Sequence, residues 1–514
     1  MNRSYPPHDD KAEVIHVEDG VHDADEHMGK QFANDAEGNL LHVDEAASKR
    51  LTRKLKHLIC QMDLYVVPIV AIQYLFAFID RANIGNAKIA GLEKDLGLSG
   101  YDYNLLLSVF YISYIAFELP ASMFTKWFGP GRAIPLYTII FGILSIAMAF
   151  VTNLGSGCAV RFLLGAAEAG MLPGIAYYLS RWYPKRELAF RLAMYLVCSP
   201  LAGAFGGLLA SGILKIDSIG SVRSWELIFL IEGIITTGIG IFAWFFMTAD
   251  PQTARWLSAE EKVLADNRIK REQIGSTVVV EKLNKRGILQ GLKNPVVIAI
   301  AFTFLLNNIS VQGIGFFTPT IVRTIYPNKS VIQQQLHTVP PYIVGAVITV
   351  IFPYLSMKVN KRGLIVLGVA PLCLAGWAIL LGSHDQSVRY GAIFLTIGGA
   401  FVPGPTLPAW TSGNVVSDSS RAAAIGLVAM FGNCGGLIST WTALPSDAPW
   451  YNILSGLNLA ATAIQIIVWA GILIYMKRDN RARDRGRYDH YVDEYAPEDM
   501  WKLGTKQPGF RWME

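Results

Sequence analysis

The stretch Leu64-Tyr-Val-Val-Pro-Ile-Val-Ala-Ile-Gln-Tyr-Leu-Phe-Ala-Phe-Ile79, followed directly by Asp80-Arg81, decides how the whole chain is read. Its apolar run can enter a bilayer but falls short of the roughly 20 residues a helix needs to cross one. Continuing the helix through Asp80 and Arg81 into Ala-Asn-Ile-Gly-Asn86 completes the crossing and leaves two ionisable groups in the outer half of the membrane. Ending it at Ile79 makes the pair merely interfacial. Both readings stand at this point.

Segments of the same kind recur along the chain. Twelve have about the 20 residues a crossing requires: 63–86, 104–125, 133–152, 157–179, 192–214 and 225–248, then 296–319, 338–357, 363–382, 389–412, 422–444 and 452–476. Lipid offers the backbone no hydrogen-bond partners, so each is predicted to be a helix. A membrane β-barrel would instead show short strands of alternating hydrophobicity. The fold class is therefore an all-α integral membrane protein, with twelve transmembrane helices in two six-helix pseudo-repeats. The halves are 57–248 and 295–476, joined by a charged central loop 249–294 and flanked by a disordered acidic N-tail 1–56 and a C-tail 477–514. Lys126-Trp-Phe-Gly-Pro-Gly-Arg132 after the second segment and Lys358-Val-Asn-Lys-Arg-Gly363 after the eighth echo each other, which points to parallel repeats.

Composition excludes several function classes. Of 514 residues, 52% are hydrophobic and 17% charged, where soluble domains run near 25% charged; mean hydropathy is +0.34. A soluble multidomain enzyme does not fit. A net charge of +5, much of it in loops, argues against nucleic-acid binding. Cys60, Cys158, Cys198, Cys373 and Cys434 are scattered, with neither disulfide-framework nor metal-ligand spacing. No nucleophile motif or phosphate-binding glycine loop stands in the right context, so no cofactor and no enzymatic activity are expected. The N-tail lacks the apolar core of a signal peptide, and the first transmembrane helix is expected to direct insertion.

Positive charge sets the expected orientation. Arg181, Lys185, Arg186 and Arg191, the central-loop bases, Lys49–Lys56 and the run Lys477 to Arg487 all fall on one side of a twelve-helix map. That side is the cytoplasm, and both termini lie there. Loops 153–156 and 445–450 carry no Lys or Arg, and Asn328-Lys-Ser330 then lies outside, a candidate glycosylation motif whose use is left open.

Charge inside spans is costly, and each instance is a functional candidate. Arg161-Phe-Leu-Leu-Gly-Ala-Ala-Glu168 places Arg161 and Glu168 about two turns apart on one helix face. A structural ion pair between helices is the competing reading. Asp80, Arg81, Arg161 and Glu168 sum to zero when ionised. A proton on either acid leaves the site positive and attractive to an anion, which favours a proton-coupled anion carrier. Glu232, in Phe229-Leu-Ile-Glu-Gly233, reads as structural, and Glu118 is expected to pair with a loop base. The second half offers neutral polar groups: Asn307, Asn308, Gln312, Tyr342, Trp410, Asn414 and Asn433. Each is open to substrate contact or to helix–helix bonding. Tyr111 and Tyr114 are open to cavity or packing roles in the same way.

Asp80-Arg-Ala-Asn-Ile-Gly-Asn-Ala-Lys-Ile-Ala-Gly-Leu92 and Arg161-Phe-Leu-Leu-Gly-Ala-Ala-Glu-Ala-Gly-Met-Leu-Pro173 resemble the first- and fourth-helix signatures of the anion:cation symporter family within the major facilitator superfamily. Trp225–Gly233, Arg255-Trp-Leu-Ser-Ala-Glu-Glu-Lys262, Trp410-Thr-Ser-Gly-Asn414 and Arg421-Ala-Ala-Ala resemble it further, over about 55–510. The closest flavour is the fungal branch of allantoate, nicotinate, pantothenate and biotin permeases, whose tail Pro508-Gly-Phe-Arg-Trp512 also resembles. The resemblance implies proton handling by Asp80 and Glu168, a substrate carboxylate on Arg81, a functional Arg161 and a cavity tyrosine at Tyr114. Ala121-Ser-Met-Phe-Thr-Lys126 departs from the superfamily's acidic loop motif, so the gating salt bridge made there is not carried over. The expected activity is proton-coupled symport of a small organic carboxylate, nicotinate or a related acid, into the cell across the plasma membrane by a monomer. The substrate, protons and the bilayer are its partners. An exporter or vacuolar carrier, or a nutrient sensor on the same fold, are the alternatives.

Overall fold

The computed structural model describes residues 45–494, apart from 184, 217, 221, 276–284 and 417, and residues 503–514. Most of the N-tail therefore lies outside the described residues. The first helix, α1 (Glu45–Ala87), begins within the stretch assigned to the tail. Beyond it the chain runs through Lys88–Leu92, where Gly91 at φ 116° kinks the helix, into a last short turn at Glu93–Asp95. The reading that ended the first crossing at Ile79 is thereby excluded.

α2 (Asp102–Phe128) and α3 (Pro130–Met148) form the second and third spans. The fourth is divided into α4 (Leu154–Glu168) and α5 (Met171–Ser180), and the fifth into α6 (Lys185–Leu196) and α7 (Cys198–Ile213). A two-residue antiparallel pair, Ser218–Ile219 with Val222–Arg223, leads into α8 (Ser224–Phe246). The central loop carries α9 (Ala259–Gly275) and α10 (Lys285–Leu292). The second half comprises α11 (Pro295–Ile325), α12 (Val331–Val359), α13 (Arg362–Gly382), the divided α14 (Gln386–Ala400) and α15 (Pro403–Gly413), α16 (Asp418–Ser439) and α17 (Asn452–Asp484).

Eleven of the described helices are long and apolar enough to cross a membrane. The remaining sequence segment, 422–444, corresponds to the shorter apolar helix Ala423–Ser439 within α16. At 1.5 Å per residue the 22 residues of α16 extend roughly 33 Å, enough for a bilayer core. Starts are fixed by side chains that satisfy the first free N–H groups: Asn153 for α4, Asn294 for α11, Ser330 for α12 and Asp385 for α14.

The repeat is visible in the packing. α3 lies along α8 as α13 lies along α17, α2 along α4 as α12 along α14, and α1 along α7 as α11 along α16. The fourth and tenth spans, equivalent under the repeat, are both divided. Between halves, α7 packs on α12 and α2 on α16, again an equivalent pair, with α1 beside α11 on the pseudo-axis.

Bonds hold the first half of α1, the 181–191 stretch and the start of the central loop together at one face. Lys54 meets Glu260, Gln61 donates to the Trp256 carbonyl, Arg181 meets Asp250 at 2.8 Å and Arg191 grips Asp63 with bonds of 2.9 and 2.8 Å. At the opposite end the halves close on each other. Asn104 donates to the Thr440 carbonyl, Ser108 Oγ lies 2.8 Å from Thr440 Oγ1, and Gln335 donates to the Asn86 carbonyl. Gly85 and Gly436 permit this approach: a Cβ would strike the Phe316 carbonyl at the first and the Tyr111 ring at the second.

Candidate functional site

The four charges found in the sequence converge inside the first half. Asp80 and Arg81 stand on α1, Arg161 on α4, and Glu168 at the last residue of α4, where the fourth span breaks. Asp80 is 4% exposed, Arg81 7%, Arg161 3% and Glu168 0%, so all four are buried within the protein.

One ion pair joins two of them between neighbouring helices, the arrangement of the competing structural reading. Glu168 Oε2 accepts from Arg81 Nε at 2.6 Å, across two spans, rather than pairing with Arg161 on its own helix. The Arg81 guanidinium also sits over three aromatic rings, with Cζ 5.0 Å from Phe78, 5.4 Å from Phe110 and 4.7 Å from Tyr114. Electron-rich ring faces hold a cation where water has been removed. Asp80 Oδ1 accepts a short bond from Ser145 of α3.

What these contacts leave open matters more. Arg161 Nε and Nη2, Asp80 Oδ2 and Glu168 Oε1 have no hydrogen-bond partner among the described residues. Arg161 is near enough to Asp80 and Glu168 to act on both electrostatically, and its guanidinium lies 5.8 Å from the Phe229 ring. Buried donors are ordinarily satisfied, and each exception calls for an explanation, a bound ligand, ion or water among them. The arrangement thus combines guanidinium donors for an anion with carboxyl oxygens able to take protons.

The second-half candidates disperse. Asn307 is buried with its Nδ2 unpartnered. Asn308 donates to the Phe304 carbonyl within its own helix and abuts Gly432, a packing role. Gln312 lies half-buried on the same helix. Tyr342 donates to the Ile314 carbonyl at 3.2 Å, and its ring covers Gly203 of the opposite half. Trp410 must be removed from the cluster. Its indole N–H donates to the Met513 carbonyl and its ring packs against Gly363, which ties the tenth span to the C-tail at the end where the chain termini gather. Asn414 is spent on the same tail, donating to Met513 O and accepting from Met513 N. Among the described residues Glu118 meets no loop base; it accepts from Asn433 Nδ2 at 2.8 Å, across the two halves.

Sequence reasoning missed Ser145, Phe78 and Phe110, because a lone hydroxyl or ring in an apolar helix carries no distinguishing signal. Tyr111 proves to be a cross-half residue, its ring 6.0 Å from Phe316 and its hydroxyl unpartnered.

Residues 70–440 match the description of the Major Facilitator Superfamily. The chain belongs to that superfamily. It is a multi-pass membrane transporter, and the curated proteins it resembles are named as transporters. It is 34% identical to an uncharacterized transporter of Schizosaccharomyces pombe, covering 91% of each chain. It is 30% identical to the high-affinity nicotinic acid transporter of Saccharomyces cerevisiae, covering 98% of this chain and 94% of that one. It is 30% identical to the major facilitator-type transporter hxnP of Emericella nidulans, over 92% and 94%. Among solved structures, the partially occluded inward-open xylose transporter XylE of E. coli aligns with a TM-score of 0.60 at 13% identity, over 79% and 97% of the chains. A bacterial homologue of the human lysosomal transporter Spinster, inward-facing, aligns at 0.58 and 16%, over 80% and 96%. At such identities these two establish the fold alone.

Proposed function

We propose that this transporter is a proton-coupled symporter that brings a small organic carboxylate into the cell by alternating access. It would sit in the plasma membrane with both termini cytoplasmic. The observation that carries the reading is Arg161, buried with unpartnered donors, beside the closed Arg81–Glu168 pair. A substrate carboxylate entering this site finds a free guanidinium and competes with Glu168 for Arg81. Protonation of Glu168 releases Arg81 to the substrate, so proton and anion arrive together. Loss of the proton restores the internal pair and expels the anion. A bidentate guanidinium–carboxylate contact in a dry site is among the stronger polar interactions available.

The neighbouring rings favour a flat, aromatic acid. Phe78, Phe110 and Tyr114 surround Arg81, and Tyr111 beside Phe110 continues the aromatic group to Phe316. Nicotinate is the first substrate proposed, supported by the yeast nicotinic acid transporter at 30% identity. The test is uptake of labelled nicotinate and a panel of other small carboxylates into proteoliposomes under an inward proton gradient. Accumulation that a protonophore abolishes supports the reading. Accumulation of none of them, or accumulation indifferent to the gradient, overturns it.

A further inference from the structure

We infer that the basic end of α17 carries a binding site for an anionic phospholipid, in which Arg478 and Arg487 hold the phosphate and an acyl chain runs along the helix toward the bilayer. The site is independent of the transported substrate; only the leaflet it faces rests on the orientation proposed above.

A cavity of about 360 Å³ lies at this end, lined by Gly471, Ile474, Tyr475, Arg478, Asp479 and Arg487. Gly471, Ile474, Tyr475 and Arg478 follow one another at helical spacing and share one face of α17. Gly471 and Ile474 belong to the apolar run and are exposed, which on a spanning helix means facing lipid. No atom lies within 4 Å of where a Cβ on Gly471 would stand, so that stretch of the face is open to a chain. Tyr475 is half exposed where the apolar run gives way to Lys477 and Arg478, the depth at which amphipathic rings meet headgroups.

Arg487 reaches the same cavity by a reversal of the chain. α17 ends at Asp484, and Gly486 then takes φ 80°. Gly486 and Arg487 donate to the carbonyls of Arg483 and Ala482, a helix end that a residue without a Cβ makes readily. The reversal lays Arg487 Nη1 3.2 Å from Asp479 Oδ1, with the Arg487 side chain still 58% exposed.

The charge is left positive. Asp479 is the acid of the lining, and both its oxygens are engaged, Oδ1 by Arg487 and Oδ2 by Arg483 Nε and Trp512 Nε1. Arg478 is exposed and makes no ion pair among the described residues. Two guanidinium groups beside one satisfied carboxylate suit a phosphate, which accepts from such forks two bonds at a time. A soluble anion would use the basic rim alone. The apolar wall below it, Gly471 and Ile474, matches a ligand that has a charged head and a hydrocarbon chain. On the proposed orientation this is the cytoplasmic leaflet, where anionic lipids collect beside bases that follow a spanning helix. The Tyr475 ring also lies 6.0 Å from that of Trp512, so a lipid held here backs the seat of the C-tail.

The test is a thermal-shift titration of the purified full-length carrier in detergent micelles, with phosphatidylinositol, phosphatidylcholine or inorganic phosphate. Phosphatidylinositol is expected to raise the melting temperature saturably and to slow proteolysis of the C-tail, and the other two to do neither. Arg478→Gln should raise the half-saturating concentration about tenfold or more, the worth of a hydrogen bond to a charged group. Lys477→Gln, about 100° round the helix and outside the cavity, should lose no more than the roughly fivefold that any base near an anionic surface supplies. Equal losses in the two variants reduce the effect to diffuse surface attraction and overturn the inference. Equal stabilisation by phosphatidylcholine, which needs no basic site, or by inorganic phosphate, which needs no apolar wall, overturns it too. So does a wild-type carrier indifferent to phosphatidylinositol.

Discussion

A guanidinium held among three rings and a carboxylate offers a planar fork that an ammonium cannot copy. Arg81→Lys keeps the charge, loses the two-point grip, and is expected to weaken substrate binding about 10- to 100-fold, the span of one charge-assisted hydrogen bond. Thermal-shift titration against the transported acid reads it directly, and unchanged affinity would make Arg81 structural. Glu168→Gln separates binding from coupling. It mimics the protonated acid, so the site stays positive and exchange of internal for external substrate should persist. The empty carrier has no proton to release, so net proton-driven uptake should collapse. Full accumulation by that variant would remove Glu168 from the coupling step. These residues were legible in sequence because charge in an apolar run has no ordinary explanation. Their partners were not: Arg81 and Glu168 are 87 positions apart, and the bond depends on how two helices are rotated, which periodicity does not encode.

Among elements, spans were easier to find than their ends. Apolar runs located the crossings. They did not show that α1 starts at Glu45, or that α17 continues to Asp484 and receives the C-tail. Hydropathy falls where a helix leaves lipid, while its backbone bonds continue into water. The same limit misplaced Trp410, whose neutral, apolar character suited a cavity as well as it suits the tail contact it makes. The tail seat depends on Asp479, which accepts from Arg483 Nε at 2.6 Å, Arg487 Nη1 at 3.2 Å and Trp512 Nε1 at 2.7 Å. Arg483 is itself buried. Asp479→Ala strands that cation and is expected to cost about 3–5 kcal/mol. The variant should melt at lower temperature, and its C-tail should be cut faster by protease. An unchanged melting curve would show that Arg483 finds another partner.

At the scale of the molecule, the repeat seen in two loop motifs becomes a mechanical statement. Under the proposed alternating access, halves that pack internally through equivalent helix pairs would move as two bodies along a shared seam, where α7 packs on α12, α2 on α16 and α1 beside α11. Sequence could suggest two bodies; it could not say which end is shut, because the alternating states share every residue. In this structure the closed end is the one opposite the chain termini, sealed where Ser108 and Thr440 approach, their hydroxyl oxygens 2.8 Å apart. Alternating access requires that seal to open in every cycle. Replacing both residues by cysteine, with the five native thiols removed, should allow an oxidant to lock the end shut. Uptake should then fall to background, return on reduction, and be untouched by oxidant in either single variant. Substrate binding from the other side should survive the lock, since the Arg81 and Arg161 site lies within one half and is not built by the closure. A cross-linked carrier that transports at the normal rate would mean the two halves do not part at this end, and the rocking motion assigned to them would be wrong.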